Sequence, residues 1–181
     1  MKRNGFSMIE LVFVVVILGV LAAVAVPRFV ATRMDAHVAT LRSDASSVMK
    51  AIVAKVFADN IDTTASKAPA PNDPTKSTMI TWSEWMIEVG GLDRQRWMKA
   101  IASDRTITPV YQWVVNGQRV PMPCGDLIQI TTSGDLYFNP NSLPDKNTQG
   151  PHEAICSLLK ESYGKDANKI IPLTSTRTLE F

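Results

Sequence analysis

The chain has 181 residues, enough for one domain with a substantial core. Its 19 basic and 17 acidic residues nearly cancel, so charge makes no case for a nucleic-acid or a polycationic partner. With 45% hydrophobic residues and two cysteines, it is neither a disordered chain nor a disulfide-dense miniature.

Lys2 and Arg3 form a short basic leader, and Gly5 ends it. Residues 6–26 then carry a single charge, Glu10. A helix rises about 1.5 Å per residue, so this run spans about 30 Å, the thickness of a bilayer's hydrocarbon core. A secretory signal peptide competes, because it also begins basic and continues apolar, and Ala22-Ala23-Val24-Ala25 offers a small-residue cleavage site. Glu10 at the start of the apolar run, and a helical pattern unbroken beyond it, favour a retained helix. A carboxylate in a membrane helix costs about 2.5–3.5 kcal/mol on insertion scales, so Glu10 asks for a partner.

Gly5-Phe6-Ser7-Met8-Ile9-Glu10-Leu11, followed by an apolar helix with Gly19 and Pro27, resembles the cleavage and methylation signal of type IV prepilins and type II secretion pseudopilins. The resemblance covers about residues 1–34. It implies that a prepilin peptidase cuts between Gly5 and Phe6 on the cytoplasmic side, and that the new Phe6 amine is N-methylated. It implies three segments: a leader at residues 1–5, a membrane and filament-core helix at 6–27, and a periplasmic head at 28–181. The implied partners are identical or homologous pilin subunits, the prepilin peptidase, an inner-membrane assembly platform and, before assembly, membrane lipid. The positive-inside rule alone decides orientation weakly, with Lys2 and Arg3 set against Arg28 and Arg33. Loss of the leader leaves 17 basic against 17 acidic residues.

Beyond the apolar run, Val30, Met34, Val38, Leu41, Ala45, Val48, Ile52 and Val56 recur every three or four residues, with charged residues between them. That spacing predicts one helix over residues 6–59, about 80 Å long, whose second half lays a single stripe on the head. Pro27 removes a backbone bond and predicts a bend; Gly19 is a second weak point. In relatives assembled into filaments, the segment between the positions matching these two tends to lose helix. Residues 60–78, with Pro69, Pro71 and Pro74, read as a surface connector. Thr81-Trp82-Ser83-Glu84 has capping-box spacing, and Gly90-Gly91 would end a short helix. Asp93 is expected to cap another helix reaching about Ala102, with Trp82, Trp85 and Trp97 pinning both to the head.

From Pro109 the period becomes two. Residues 110–115 meet Asn116-Gly117, a strong hairpin signal, and residues 118–121 return. Residues 127–131 form a further strand, Ser133-Gly134 a turn, and residues 135–138 its partner. Residues 152–163 look helical, with Gly164 as a stop. The apolar triplet Ile170-Ile171-Pro172 and the end of the chain have no assigned place. The fold class is therefore α+β, a long N-terminal helix packed on an antiparallel sheet, as the pilin resemblance also implies.

Cys124 and Cys156 both fall in the part that the resemblance exports, and two thiols in an oxidising compartment are expected to pair. The search for catalysis is thin. Ser47/Lys50 and Ser157/Lys160 have Ser-x-x-Lys spacing without a companion motif, and His37 and His152 are too few and too scattered for a metal. Residues 145–150 begin like a calcium loop, but the fifth position is Gln149 and the twelfth is Cys156. Neither a metal nor any other cofactor is expected. Arg94, Arg96, Lys99 and Arg105 near Trp97 make the best basic patch, although Asp93 and Asp104 flank it. The sequence reading is thus a structural, non-enzymatic filament subunit, first membrane-held and then part of an extracellular or periplasmic filament. The alternatives are a DNA-binding minor pilin and a single-pass membrane-anchored periplasmic protein.

Overall fold

A computed structural model describes residues 7–145, 151–164 and 167–174, without the side chains of residues 26–31 and 151–153. The chain divides into two compact units, Met1–His37 and Val38–Phe181. One helix, α1 (Met8–Asp59), belongs to both and continues without interruption through Pro27.

In the first unit, residues 8–24 of α1 are exposed all round. In the second, the stripe Val38, Leu41, Ala45, Val48, Ile52 and Val56 is buried, as its three-and-four spacing requires. The head closes over it. A Cβ built on Gly90 would lie 2.4 Å from Val48 Cγ2, so only glycine lets this backbone approach α1. Beside the stripe, Asp44 accepts hydrogen bonds from Arg96 Nε at 3.2 Å and Trp97 Nε1 at 3.1 Å, and Arg42 lies 5.5 Å from the Tyr163 ring centroid.

The connector after α1 contains a short ribbon, β1 (Ala68–Pro69) paired antiparallel with β2 (Met79–Ile80). Helix α2 (Trp82–Val89) follows, with Thr81 as N-cap accepting from the Glu84 amide and the chain leaving through Gly90 and Gly91, the latter at φ +59°. The second helix expected after Asp93 does not form. Asp93 caps a single turn, accepting the Gln95 amide on its carboxylate and the Arg96 and Trp97 amides on its carbonyl. The chain then extends into β3 (Trp97–Lys99), which pairs with β4 (Thr106–Val115). Local capping chemistry was real, but sheet pairing and burial of Trp97 decide the rest.

The main sheet is antiparallel throughout. It comprises β3, β4, β6 (Ile128–Ile130), β7 (Asp135–Phe138) and β8 (Lys169–Pro172) in that order, with β5 (Gln118–Pro123) also paired to β4. Residues 106–107 of β4 pair with β6, whereas 110–115 form the hairpin with β5 across Asn116 and Gly117, both at positive φ. Strand β8 gives the apolar triplet its place as an edge strand beside β7, with Leu173 just beyond it buried. Helix α3 (Pro151–Tyr163) ends at Gly164, φ +79°. Residues 175–181 lie outside the described ones.

Arg105 ties these pieces together. Its guanidinium donates to the carbonyls of Ile130 at 2.8 Å, Thr131 at 2.8 Å, Ala65 at 2.7 Å and Thr63, and lies 5.2 Å from the Trp82 ring centroid. Burial lowers its pKa, but an arginine remains charged at any physiological pH. Arg105→Lys keeps the charge and loses the planar fork, so several part-buried carbonyls lose their donor. Urea denaturation of residues 28–181 should show a loss of about 2–3 kcal/mol. A loss under 0.5 kcal/mol would mean that water replaces the fork.

Tyr163 offers a pH test of the same packing. Burial pushes its phenol up to about 12, partly opposed by Arg42, and its hydroxyl has no hydrogen-bond partner among the described residues. The folded state therefore retains a proton that the unfolded chain releases near pH 10. The stabilising contribution is complete below pH 10 and is lost as pH rises towards 12. Denaturation midpoints measured over that range should fall less steeply in Tyr163→Phe than in the wild type.

Candidate assembly site

The apolar helix begins with a local device. Ser7 Oγ accepts the Ile9 amide at 3.3 Å, and Glu10 Oε2 accepts the Ser7 amide at 3.0 Å. These two bonds satisfy two amide donors at the helix start, although the Ser7 hydroxyl caps Ile9 and not Glu10, so the full reciprocal box of Ser-x-x-Glu spacing is not formed. The spacing was readable in the sequence, but the lone charge in an apolar run drew attention to Glu10 alone.

The span Met8–Ala25 is long and apolar enough to cross a membrane, and none of it is buried within the chain. Such a run cannot be left so in water: Leu11, Val12, Phe13, Val14, Val15, Val16, Ile17 and Leu18 are each 43–65% exposed. At about 25 cal/mol per Å2 of apolar surface, a segment of this kind requires lipid or other protein around it. A Cβ on Gly19 would meet nothing within 4 Å, so this position is a notch on an open helix face. Pro27 lies within the helix backbone, and its side chain is among those not described. Gly5 and Phe6 lie outside the described residues, as do positions 146–150 of the candidate calcium loop.

Residues 1–26 match the family described as the prokaryotic N-terminal methylation motif. This chain carries a prepilin-type N-terminus. It is also 44% identical over 64 residues to the type IV narrow pilus major component PilA5 of Thermus thermophilus. That similarity covers 35% of this chain and 55% of the relative, so the chain spans about half the length of the curated protein it matches. No solved structure is detectably similar. The α+β architecture, with an apolar N-terminal helix running on into the head and an antiparallel sheet, is pilin-like.

The other sequence candidates fall into place as structure. Cys124 and Cys156 form a disulfide with Cα atoms 5.4 Å apart, joining the chain just after β5 to α3. The basic patch disperses: Arg96 pairs with Asp44 and Asp93, Lys99 with Asp104, Arg94 weakly with Glu88, and Arg105 turns to carbonyls. Trp82, Trp85 and Trp97 are fully buried, leaving no tryptophan of this trio for stacking. Among the described residues, no group of His, Cys, Asp or Glu is arranged to hold a metal.

The disulfide closes a separation of 32 residues. Opening it should cost about 3–4 kcal/mol in a chain-entropy treatment. Cys124→Ser and Cys156→Ser should therefore lower the urea midpoint of the head similarly, and reductant should bring the wild type to the same value. Unequal losses would show that one sulfur matters chiefly through packing.

Proposed function

We infer that this protein is a structural subunit of a type IV pilus-like filament, assembled through its apolar N-terminal helix. The observation that carries the reading is the unburied apolar segment of α1 headed by Glu10, coinciding with the prepilin-type match over residues 1–26. The pilus name of the PilA5 relative favours a pilus over a secretion pseudopilus. In this reading residues 1–5 are a leader, residues 6–27 the membrane and filament-core segment, and residues 28–181 the exported head. A prepilin peptidase cuts between Gly5 and Phe6, and Phe6 is N-methylated. The subunit waits in the inner membrane with its head in the periplasm, and an assembly platform draws it into the filament.

Electrostatics gives Glu10 its task. The free Phe6 amine and the Glu10 carboxylate are each costly in an apolar core, and pairing them between neighbouring subunits relieves both. Such a pair adds little net stability but fixes register. Close packing of Val, Leu and Ala with the notch at Gly19 supplies association. A head-to-tail contact of this kind does not close on itself and so extends as a helix. Pro27 then serves as the point where the core segment can adjust its direction relative to the stretch beyond it. The dispersal of the basic patch leaves no specific observation in favour of a DNA-binding role.

Two measurements test this. The intact mass of membrane-extracted protein should lack the first five residues and carry one methyl group, whereas cleavage after Ala25 would return the segment to a secretory signal. Glu10→Val should yield a processed, membrane-held, folded subunit that is lost from sheared filaments. A cost of even about 1.4 kcal/mol per contact reduces each addition tenfold. Wild-type-like assembly of Glu10→Val would end the charge-pair mechanism.

A further inference from the structure

We propose that the pocket between the last turn of α1 and the connector binds a small organic monocarboxylate. The pocket holds about 400 Å3, an ordinary size for a small-molecule site. Lys55 and Asp59 of α1, Pro71 and Lys76 of the connector, and Trp85 of α2 are among its lining residues. Trp85 is fully buried, and its indole N–H has no hydrogen-bond partner among the described residues. Two other buried indoles are served: Trp82 Nε1 donates to the Ala65 carbonyl at 2.9 Å, and Trp97 Nε1 to Asp44 at 3.1 Å. A buried donor without an acceptor is costly, so of the three indoles the one that lines this pocket is left for something that enters it.

The other polar groups decide what that is. Asp59 is engaged twice: Lys55 Nζ reaches its Oδ2 at 2.9 Å, and Lys76 Nζ donates to its carbonyl at 2.7 Å. Asp73 spends its carboxylate on its own turn, accepting the amides of Thr75, Ser77 and Thr78 and the hydroxyls of Thr75 and Ser77. Those bonds close the turn that holds Lys76 at φ +52°, a conformation few non-glycine residues adopt. An ammonium carries three protons, so each lysine keeps donors to spare, and the buried N–H adds another. The unmet groups are donors, and an anionic acceptor answers them best. The charged lining is Lys55 and Lys76 against Asp59 and Asp73, neutral in sum, which suits a monoanion better than a phosphate dianion. Pro69, Pro71 and Pro74 give the pocket apolar walls, so the carboxylate belongs on an apolar body.

The test uses the full chain in lipid nanodiscs with isotope-labelled tryptophan, so that each indole N–H gives its own NMR signal, and Trp85→Phe assigns the relevant one. Benzoate should shift the Trp85 signal saturably at millimolar concentration or below, leaving those of Trp82 and Trp97 in place. Benzamide has the same shape without the charge, and it should bind about tenfold more weakly, the loss expected for one hydrogen bond to a charged group. Inorganic phosphate, which lacks the apolar body, should be weaker still. Lys76→Gln should weaken benzoate binding about tenfold for the same reason, whereas Lys99→Gln, in β3 and outside the pocket, should not. The Trp82 and Trp97 signals report whether each variant keeps its fold. If Lys76→Gln disturbs them, the comparison of benzoate with benzamide on the wild type decides alone. Equal binding of benzamide would reduce the site to an apolar cleft, and equal binding of phosphate would reduce it to loose ion pairing. No saturable shift with benzoate would leave the Trp85 N–H to water. Each of these three results overturns the proposal, and none depends on filament assembly.

Discussion

A continuous helix that must satisfy two different surroundings constrains everything else in this chain. Over residues 8–24, α1 is apolar apart from Glu10 and exposed on every face. From Val38 it narrows to a stripe, and the intervening positions become Arg42, Asp44, Lys50 and Lys55. No backbone feature marks the change, since the helix is uninterrupted from Met8 to Asp59. The side chains alone decide which portion can be covered by the head and which must find cover elsewhere. The head's own organisation answers to the stripe: Gly90 lies against Val48, Asp44 holds the turn before β3, and Arg42 stacks on the residue that ends α3.

What was legible in the sequence follows from how local each signal is. The stripe, the Thr81 cap, the Asn116-Gly117 hairpin and the Ser133-Gly134 turn depend on neighbours within a few residues, and each was visible. The helix expected after Asp93 was misread because its first turn is real, and only the pairing of Trp97 with Pro109 pulls the chain into a strand. Strands β1, β2 and β8 are two to four residues long and have no periodicity to find. Ile170 is 62% exposed there, so even its burial would not have disclosed an edge strand.

The candidate site was legible in its chemistry and less so in its geometry. The basic leader, glycine, aromatic and glutamate carried the resemblance to prepilins, which implied the rest of the site. Ser7 was part of the quoted motif, yet the bond from its backbone amide to the Glu10 carboxylate was overlooked because a membrane argument treats the charge as a cost to be offset from outside. Arg105 was misread for the opposite reason. In sequence a cation near other cations reads as a patch, whereas its four carbonyl partners come from two separate loops and strands that only folding brings together.

Strand β5 bears on how such a head stays apart from its copies. It pairs with β4 on one side, and Pro121 and Pro123 stand in its short length, opposite Gln112 and Val110. Neither proline can donate a hydrogen bond, so a strand arriving along the free edge would find its ladder interrupted twice within three residues. In the filament proposed above, sheets that could zip edge to edge would compete with ordered growth. The two prolines make that rim a poor template, and leave crowding of the heads without a backbone route to aggregation there.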